Sequence, residues 1–220
     1  EFPAELEKLA KSYWPGPLTL LLPKKSIIPD LVTSGLDKVA IRIPNHPLTL
    51  QLLKQLEFPL AAPSANPFGY ISPTKPEHVN KQLGDEVDYI LDGGNCEVGI
   101  ESTIVGMENG KVCVYRLGGL SIEQIEKVVG KVQLKINSSF DPASPGQLHS
   151  HYAPLKKIVI GDVEKLLAQY KNAAVLSFGN KKFNALTFNL SEKGNVTEAA
   201  ANLFNGLRTL DDSNAEIILC

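Results

Sequence analysis

The dipeptide Asn109-Gly110 stands between two β-rich runs, residues 102–107 and 111–116. Asn-Gly is the strongest short-range hairpin signal, because both central residues of the favoured two-residue turn need a positive φ that Asn and Gly tolerate. An antiparallel pair is thereby set in the middle of the chain, and the sheet containing it cannot be purely parallel. The same turn brings the far ends of the two strands together, which places Ser102 or Thr103 close to Arg116. Hydroxyls beside a permanent cation suit a phosphate; a solvated arginine at a sheet edge is the competing reading.

Around this hairpin the pattern alternates. Residues 5–13 have helical spacing, Trp14-Pro15-Gly16-Pro17 breaks it, and the run 18–22 is a strand. Residues 39–44 read as a strand, 48–56 as a helix, 59–62 as a buried strand, 75–83 as a helix and 89–91 as a strand. Residues 121–129 form a helix capped by Ser121. A mixed α/β sheet follows for the first 130 or so residues. From Asn137 the composition shifts to Ser, Pro, Gly and His without a period, as in a linker. Beyond it, strands at 158–161, 173–178, 185–189 and 217–219 interleave with helices at 163–170 and 196–210, which argues for a parallel sheet. The expected fold class is α/β: a mixed twisted sheet with flanking helices over residues 1–136, a linker over 137–156, and a small parallel α/β, Rossmann-like domain over 157–220.

Of 220 residues, 43% are hydrophobic and 21% charged, as in an ordinary globular protein able to bury a core. The net charge of −2 lacks the basic excess of a protein that grips nucleic acid mainly through phosphates. Three scattered cysteines, Cys96, Cys113 and Cys220, form no Cys-x-x-Cys pair and fit a reduced, cytoplasmic setting. The four histidines supply no convincing metal set. No apolar run approaches the roughly 20 residues that span a bilayer, so no membrane partner is expected, and the first residues do not resemble a secretory signal. The chain starts without methionine and stops on an apolar run, so both ends read as cut.

Two further stretches invite chemistry. Ala62-Pro63-Ser64-Ala65-Asn66-Pro67-Phe68-Gly69-Tyr70-Ile71-Ser72-Pro73-Thr74 carries no charge and presents backbone N–H groups and hydroxyls on a proline-restricted loop. That suits close approach by a polar ligand, although a turn followed by a helix start explains the same residues. Arg42, read as lying inside the strand 39–44 among apolar neighbours, needs an anionic partner there: either a structural salt bridge or the carboxylate of an amino acid.

Taken together, Lys11-Ser-Tyr-Trp-Pro-Gly-Pro-Leu-Thr-Leu-Leu-Leu, Val39-Ala-Ile-Arg-Ile-Pro-Asn-His-Pro, Ala62-Pro-Ser-Ala-Asn, Gly99-Ile-Glu-Ser-Thr-Ile-Val and Tyr115-Arg-Leu-Gly resemble the YrdC-like family of threonylcarbamoyl-AMP synthases. The run Ser144-Pro-Gly-Gln-Leu-His-Ser-His-Tyr-Ala-Pro154 and the α/β segment after it resemble the linker and small second domain of the family's two-domain form. The resemblance covers nearly the whole chain.

It implies an enzyme that condenses L-threonine, bicarbonate and ATP to threonylcarbamoyl-AMP and pyrophosphate, for threonylcarbamoyladenosine in tRNA. By motif, Arg42 would pair with the threonine carboxylate, and Ala62 and Ser102 would contact threonine. Ser64, Asn66, Ser72 and Arg116 would line the nucleotide side, with Lys38 and Tyr152 also reaching it. The linker would fold across the active site. The family's amino-terminal portion, with a Lys-x-Arg motif that clamps phosphates and a Ser/Thr-rich, Tyr-containing motif that helps seat threonine, has no counterpart before Glu1, and its Met-Lys/Arg-Tyr linker motif is Gln147-Leu148-His149 here.

Such a reaction asks for positioning and charge neutralisation more than for side-chain acids and bases, and no catalytic side chain is singled out. Magnesium would arrive with ATP, held largely by phosphates and water. Implied partners are tRNA and the downstream threonylcarbamoyl transferase. The alternative of another class is a double-stranded RNA-binding module without catalysis, since YrdC-like domains have been associated with such RNA.

Overall fold

The structure, a computed structural model, describes residues 2–136 and 152–220. These fall into two compact units: residues up to 63 with those from 101, and residues 64–100 with the carboxy-terminal segment.

The first unit is built on a five-stranded mixed sheet of β1 (Leu18–Pro23), β2 (Lys38–Ile41), β3 (Thr103–Glu108), β4 (Lys111–Arg116) and β5 (Gln133–Leu134), in the order β2-β1-β3-β4-β5. The expected hairpin is β3–β4, with φ of 49° at Asn109 and 73° at Gly110. A register shift between Ile104 and Val105 sets Ile104 opposite Arg116. One face of the sheet (Leu18, Leu20, Val105, Val112, Val114) packs on Leu6 and Leu9 of helix α1 (Ala4–Tyr13) and Ile125 of α5 (Ile122–Val129). Leu6 and Leu9 are wholly buried, each contributing on the order of 1.5–3 kcal/mol. Ser121 and Gln124 form a reciprocal capping box that starts α5. The opposite face carries Leu21, Ile104, Cys113 and Tyr115. Two short helices, α2 (Asp30–Thr33) and α3 (Pro47–Leu53), flank β2 in the sequence.

The second unit contains a four-stranded, all-parallel sheet of β6 (Lys157–Val159), β7 (Ala173–Ser177), β8 (Leu186–Asn189) and β9 (Ile217–Leu219), ordered β6-β9-β7-β8. Val163, Leu166 and Leu167 of α6 (Val163–Gln169) cover one face. Phe204, Leu207 and Leu210 of α7 (Val196–Asp211) cover the other, together with Ile71 from the 64–100 segment. A parallel sheet clothed on both sides explains why its two central strands, β9 and β7, are buried along their whole length. The same segment supplies α4 (Pro76–Leu83) and Gly99, whose φ of +69° and contact with the Ala201 carbonyl leave no room for a Cβ.

Three strand expectations are corrected. Residues 59–62 form no strand and are exposed: Pro59 and Pro63 have no N–H for a ladder, and Phe58 and Leu60 face outward. Residues 89–91 are likewise irregular, with Tyr89 exposed. Both runs had β-prone composition but no partner strand. The strand expected over 39–44 ends at Ile41, so Arg42 lies just past it and is exposed rather than half-buried. Because β2 is the edge strand, its end is open to solvent on one side.

Among the described residues no helix is long and apolar enough to cross a membrane.

Candidate active site

Continuing the β1–β2 register, in which Leu20 faces Ile41, sets Arg42 opposite Thr19. The Gly16 N–H donates to the Ile43 carbonyl at 2.8 Å, which keeps the two chains together beyond the ladder. On the other side of β1, Leu18 pairs with Thr103 in parallel register, and Ser102 comes level with this end of the sheet. The hydroxyls of Thr19 and Ser102 lie 2.6 Å apart, both buried. Arg116 then donates from Nε and Nη2 to the Ser102 carbonyl at 3.1 and 3.0 Å, and from Nη2 to Ser102 Oγ at 3.1 Å. One sheet end thus carries, from edge inward, Arg42, Thr19, Ser102 and Arg116: two hydroxyls between two guanidiniums, spread over about 14 Å of strand spacing.

The approach of β4's exit to this point depends on Gly118. A Cβ there would collide with the Glu101 carbonyl and stand 2.6 and 2.7 Å from Ser102 C and Thr103 N. Thr103 points to the core instead, donating to the Leu120 carbonyl at 2.7 Å and accepting from the Leu120 N–H at 3.0 Å.

Lys38 does not join this cluster. It pairs with Pro23 at the other end of β1, about 13 Å along the strand from Arg42. Its ammonium lies 5.7 Å from the Tyr115 ring centre and 3.4 Å from the Met107 carbonyl. The Tyr115 hydroxyl donates to Glu108 Oε2 at 3.1 Å, and burial together with that bond raises its pKa. Ala62 is exposed at the start of the loop.

In the second unit, the Asn66 amide closes the loop on itself, donating to the carbonyls of Pro67 at 2.8 Å and Tyr70 at 3.1 Å. Its Oδ1 is left buried without a donor among the described residues, as is the buried Thr74 hydroxyl. Ser64 is exposed and Ser72 buried. Tyr152 has a φ of 61° and stacks on Phe204 with ring centres 5.6 Å apart. The linker residues 137–151, including His149 and His151, lie outside the described residues. Among the described residues no group of three His, Cys, Asp or Glu side chains is arranged to hold a metal ion.

The sequence reading passed over a buried network on α7. Arg208 donates to the carbonyls of Ile71 and Ser72 and to Gln82 Oε1, and its guanidinium lies 4.9 Å from the Tyr70 ring centre. The Tyr70 hydroxyl donates to Asp211 Oδ2 at 2.6 Å. The available signal was positional: Arg208 and Asp211 share the face of Phe204 and Leu207, where a helix should be apolar. Thr19 was missed because it sits within an apolar run and reads as strand filler.

Comparison with known proteins gives a consistent result. A family model described as "Telomere recombination", covering the Sua5, YciO and YrdC proteins, matches residues 1–118, and one for the threonylcarbamoyl-AMP synthase carboxy-terminal domain matches 120–220. The threonylcarbamoyl-AMP synthase of Pyrococcus abyssi is 38% identical, with 100% of this chain and 68% of that protein covered. That of Bacillus subtilis is 35% identical, covering 99% and 67%. The crystal structure of P. abyssi Sua5 complexed with L-threonine superposes with a TM-score of 0.93 at 36% identity, over 100% of this chain and 68% of that one. The chain thus spans about two thirds of the length of these relatives.

Proposed function

Because this chain belongs to the threonylcarbamoyl-AMP synthases, a family of transferase-type enzymes serving tRNA modification, we propose that it joins L-threonine, bicarbonate and ATP into L-threonylcarbamoyl-AMP and pyrophosphate. The observation that carries the reading is the row of Arg42, Thr19, Ser102 and Arg116 at one sheet end, where hydroxyls and fixed cations meet. It is supported by the threonine named as the ligand of the P. abyssi relative.

In this proposal Arg42 takes the threonine carboxylate, its planar fork matching the two oxygens. Ser102 and the backbone at Ala62 position the rest of the amino acid. Arg116 both fixes Ser102 and faces the nucleotide with its charge, while Ser64, Asn66 and Ser72 meet ATP with neutral groups. Tyr152 belongs to the nucleotide side, and Lys38 acts at most from a distance. The amine of threonine adds to carbon dioxide with loss of a proton, or condenses with bicarbonate with loss of water; either gives the carbamate. The resulting carbamate oxygen attacks the α-phosphorus, the bond from that phosphorus to the bridging oxygen breaks, and pyrophosphate leaves. Magnesium enters as part of the substrate MgATP. Orientation and neutralisation of phosphate charge account for the rate. The product passes in the cytoplasm to a threonylcarbamoyl transferase acting on tRNA.

The test is mass spectrometry of products with 13C-bicarbonate. A labelled threonylcarbamoyl-AMP that forms only when threonine, bicarbonate and ATP are all present is the expected result. Salt-sensitive retention of double-stranded RNA with no such product would favour the RNA-binding alternative instead.

A further inference from the structure

Side chains of α7 hold the Asn66–Thr74 loop by directional hydrogen bonds. Arg208 is buried, and among the described residues its donors go to the Ile71 and Ser72 carbonyls and to Gln82. Burying a guanidinium is costly unless its hydrogen bonds are made, so these carbonyls are held where Arg208 needs them. Asp211, three residues on, is also buried. Its carboxylate accepts from Tyr70 Oη at 2.6 Å, and from the Leu155 and Lys156 N–H groups at 3.1 and 2.8 Å. The Lys156 ammonium caps the Asp211 carbonyl. Nearby, Ala153 N–H donates to the Gly69 carbonyl at 3.1 Å, and Tyr152 stacks on Phe204 of the same helix.

We propose that Arg208 and Asp211 are positioning residues for the nucleotide side of the reaction: Arg208 fixes the backbone at Ile71–Ser72, and Asp211 ties that loop, through Tyr70, to the segment where the linker emerges. This rests on the proposed function, which assigns Asn66, Ser72 and Tyr152 to ATP. Its physical content is that one carboxylate serves two strangers in sequence. Tyr70 and the Leu155 N–H share Oδ2 while the Lys156 N–H takes Oδ1, so a change in the linker's exit is felt at Tyr70 and, through the ring that lies against Arg208, at the Ser72 carbonyl. Neither residue touches the substrate in this scheme. The helix of the carboxy-terminal unit thereby acquires a role in the reaction besides closing its own sheet.

The experiment compares Tyr70→Phe, Arg208→Gln and Asp211→Asn with the parent. Affinity for a non-hydrolysable ATP analogue and for threonine is measured separately by calorimetry, and amide exchange is followed at Leu155 and Lys156. Losing hydrogen bonds to a charged group costs about ten- to a hundredfold in affinity; the expected result is an analogue affinity lowered at most on that scale in Arg208→Gln, less in Tyr70→Phe, with threonine affinity in the absence of nucleotide within about twofold of the parent. Faster exchange at Leu155 and Lys156 in Tyr70→Phe is the signature of the shared carboxylate, since that variant touches neither amide. Tyr70→Phe keeps the ring and decides the matter if Arg208→Gln does not fold. Parent-like analogue binding in Tyr70→Phe and Arg208→Gln, or equal loss of both ligands, overturns the inference while leaving the proposed function standing. A parent that binds threonine but no analogue sinks the nucleotide assignment itself, and unchanged exchange at Leu155 and Lys156 then overturns the coupling too.

Discussion

Thr19 and Ser102, on neighbouring parallel-running segments, share a hydroxyl–hydroxyl hydrogen bond of 2.6 Å. Ser102 Oγ already accepts from Arg116. If Thr19 is the donor of the pair, the hydrogen of Ser102 is left to point at a ligand, and Thr19 then sets the polarity of Ser102. Thr19→Val keeps the shape and removes that partner. We expect a stability loss of about 1–2 kcal/mol and a several-fold weaker threonine affinity, read by urea unfolding and calorimetry. Unchanged threonine affinity in a destabilised Thr19→Val would show the bond to be structural only.

Arg42→Ala should weaken threonine binding far more than ATP binding, because it removes a charge-assisted fork worth about 1.5–3 kcal/mol. The side chain is exposed past the end of β2, so the fold should survive the change. Equal losses for the two ligands in parallel titrations would sink the assignment.

Arg116 is a different case, since three of its hydrogen bonds go to Ser102. Sequence reasoning alone predicts that Arg116→Ala lowers nucleotide affinity and spares threonine. The geometry changes that expectation: both affinities fall, because the Ser102 carbonyl and hydroxyl lose the guanidinium that fixes them. Arg116→Lys, which keeps the charge but not the fork, should recover part of the nucleotide affinity and less of the threonine affinity. Calorimetry showing intact threonine binding in Arg116→Ala would refute this.

Gly118→Ala tests how tightly β4's exit is laid against Ser102. Its Cβ would meet backbone, not a flexible side chain end, and forced overpacking typically costs about 1–3 kcal/mol. A lowered melting temperature together with weaker threonine binding is expected. A parent-like melting curve would mean that the chain at Glu101–Thr103 yields without cost.

The Asp211 carboxyl gives a pH prediction. Burial works to raise its pKa, but the Tyr70 hydroxyl and the Lys156 and Leu155 N–H groups outweigh that and hold it below the ordinary carboxylate value. A lowered folded-state pKa contributes stability that is fully present above the unfolded value, about 4, and is lost as pH falls through the folded one. The stability difference between parent and Asp211→Asn should therefore be largest near neutrality and shrink in acid. Urea midpoints at pH 6 and pH 3 that differ by the same amount would contradict it.

Local signals carried much of the fold. The Asn109-Gly110 turn, the Ser121 cap and the strand–helix alternation after residue 157 each depend on a few neighbouring residues, and each is where periodicity put it. Residues 59–62 and 89–91 failed because β-prone composition does not supply a partner strand. Of the candidate site, Ser102 beside Arg116 followed from hairpin geometry. The position of Arg42 opposite Thr19 needed the strand order, and the anchoring of Tyr70–Ser72 on Arg208 and Asp211 needed contacts across more than 130 residues, which no window of sequence contains.

Strand order also imposes a timetable. In the sheet β6-β9-β7-β8, the strand made last stands between two made earlier. Until Ile217–Leu219 leaves the ribosome, β6 has no neighbour to bond and β7 has only β8. The loop that begins at Ser64 waits as well, since its anchors sit on the helix just before that strand. The loop is thus finished only when residues about 140 positions later have been synthesised, the sort of long-range closure that makes folding slow.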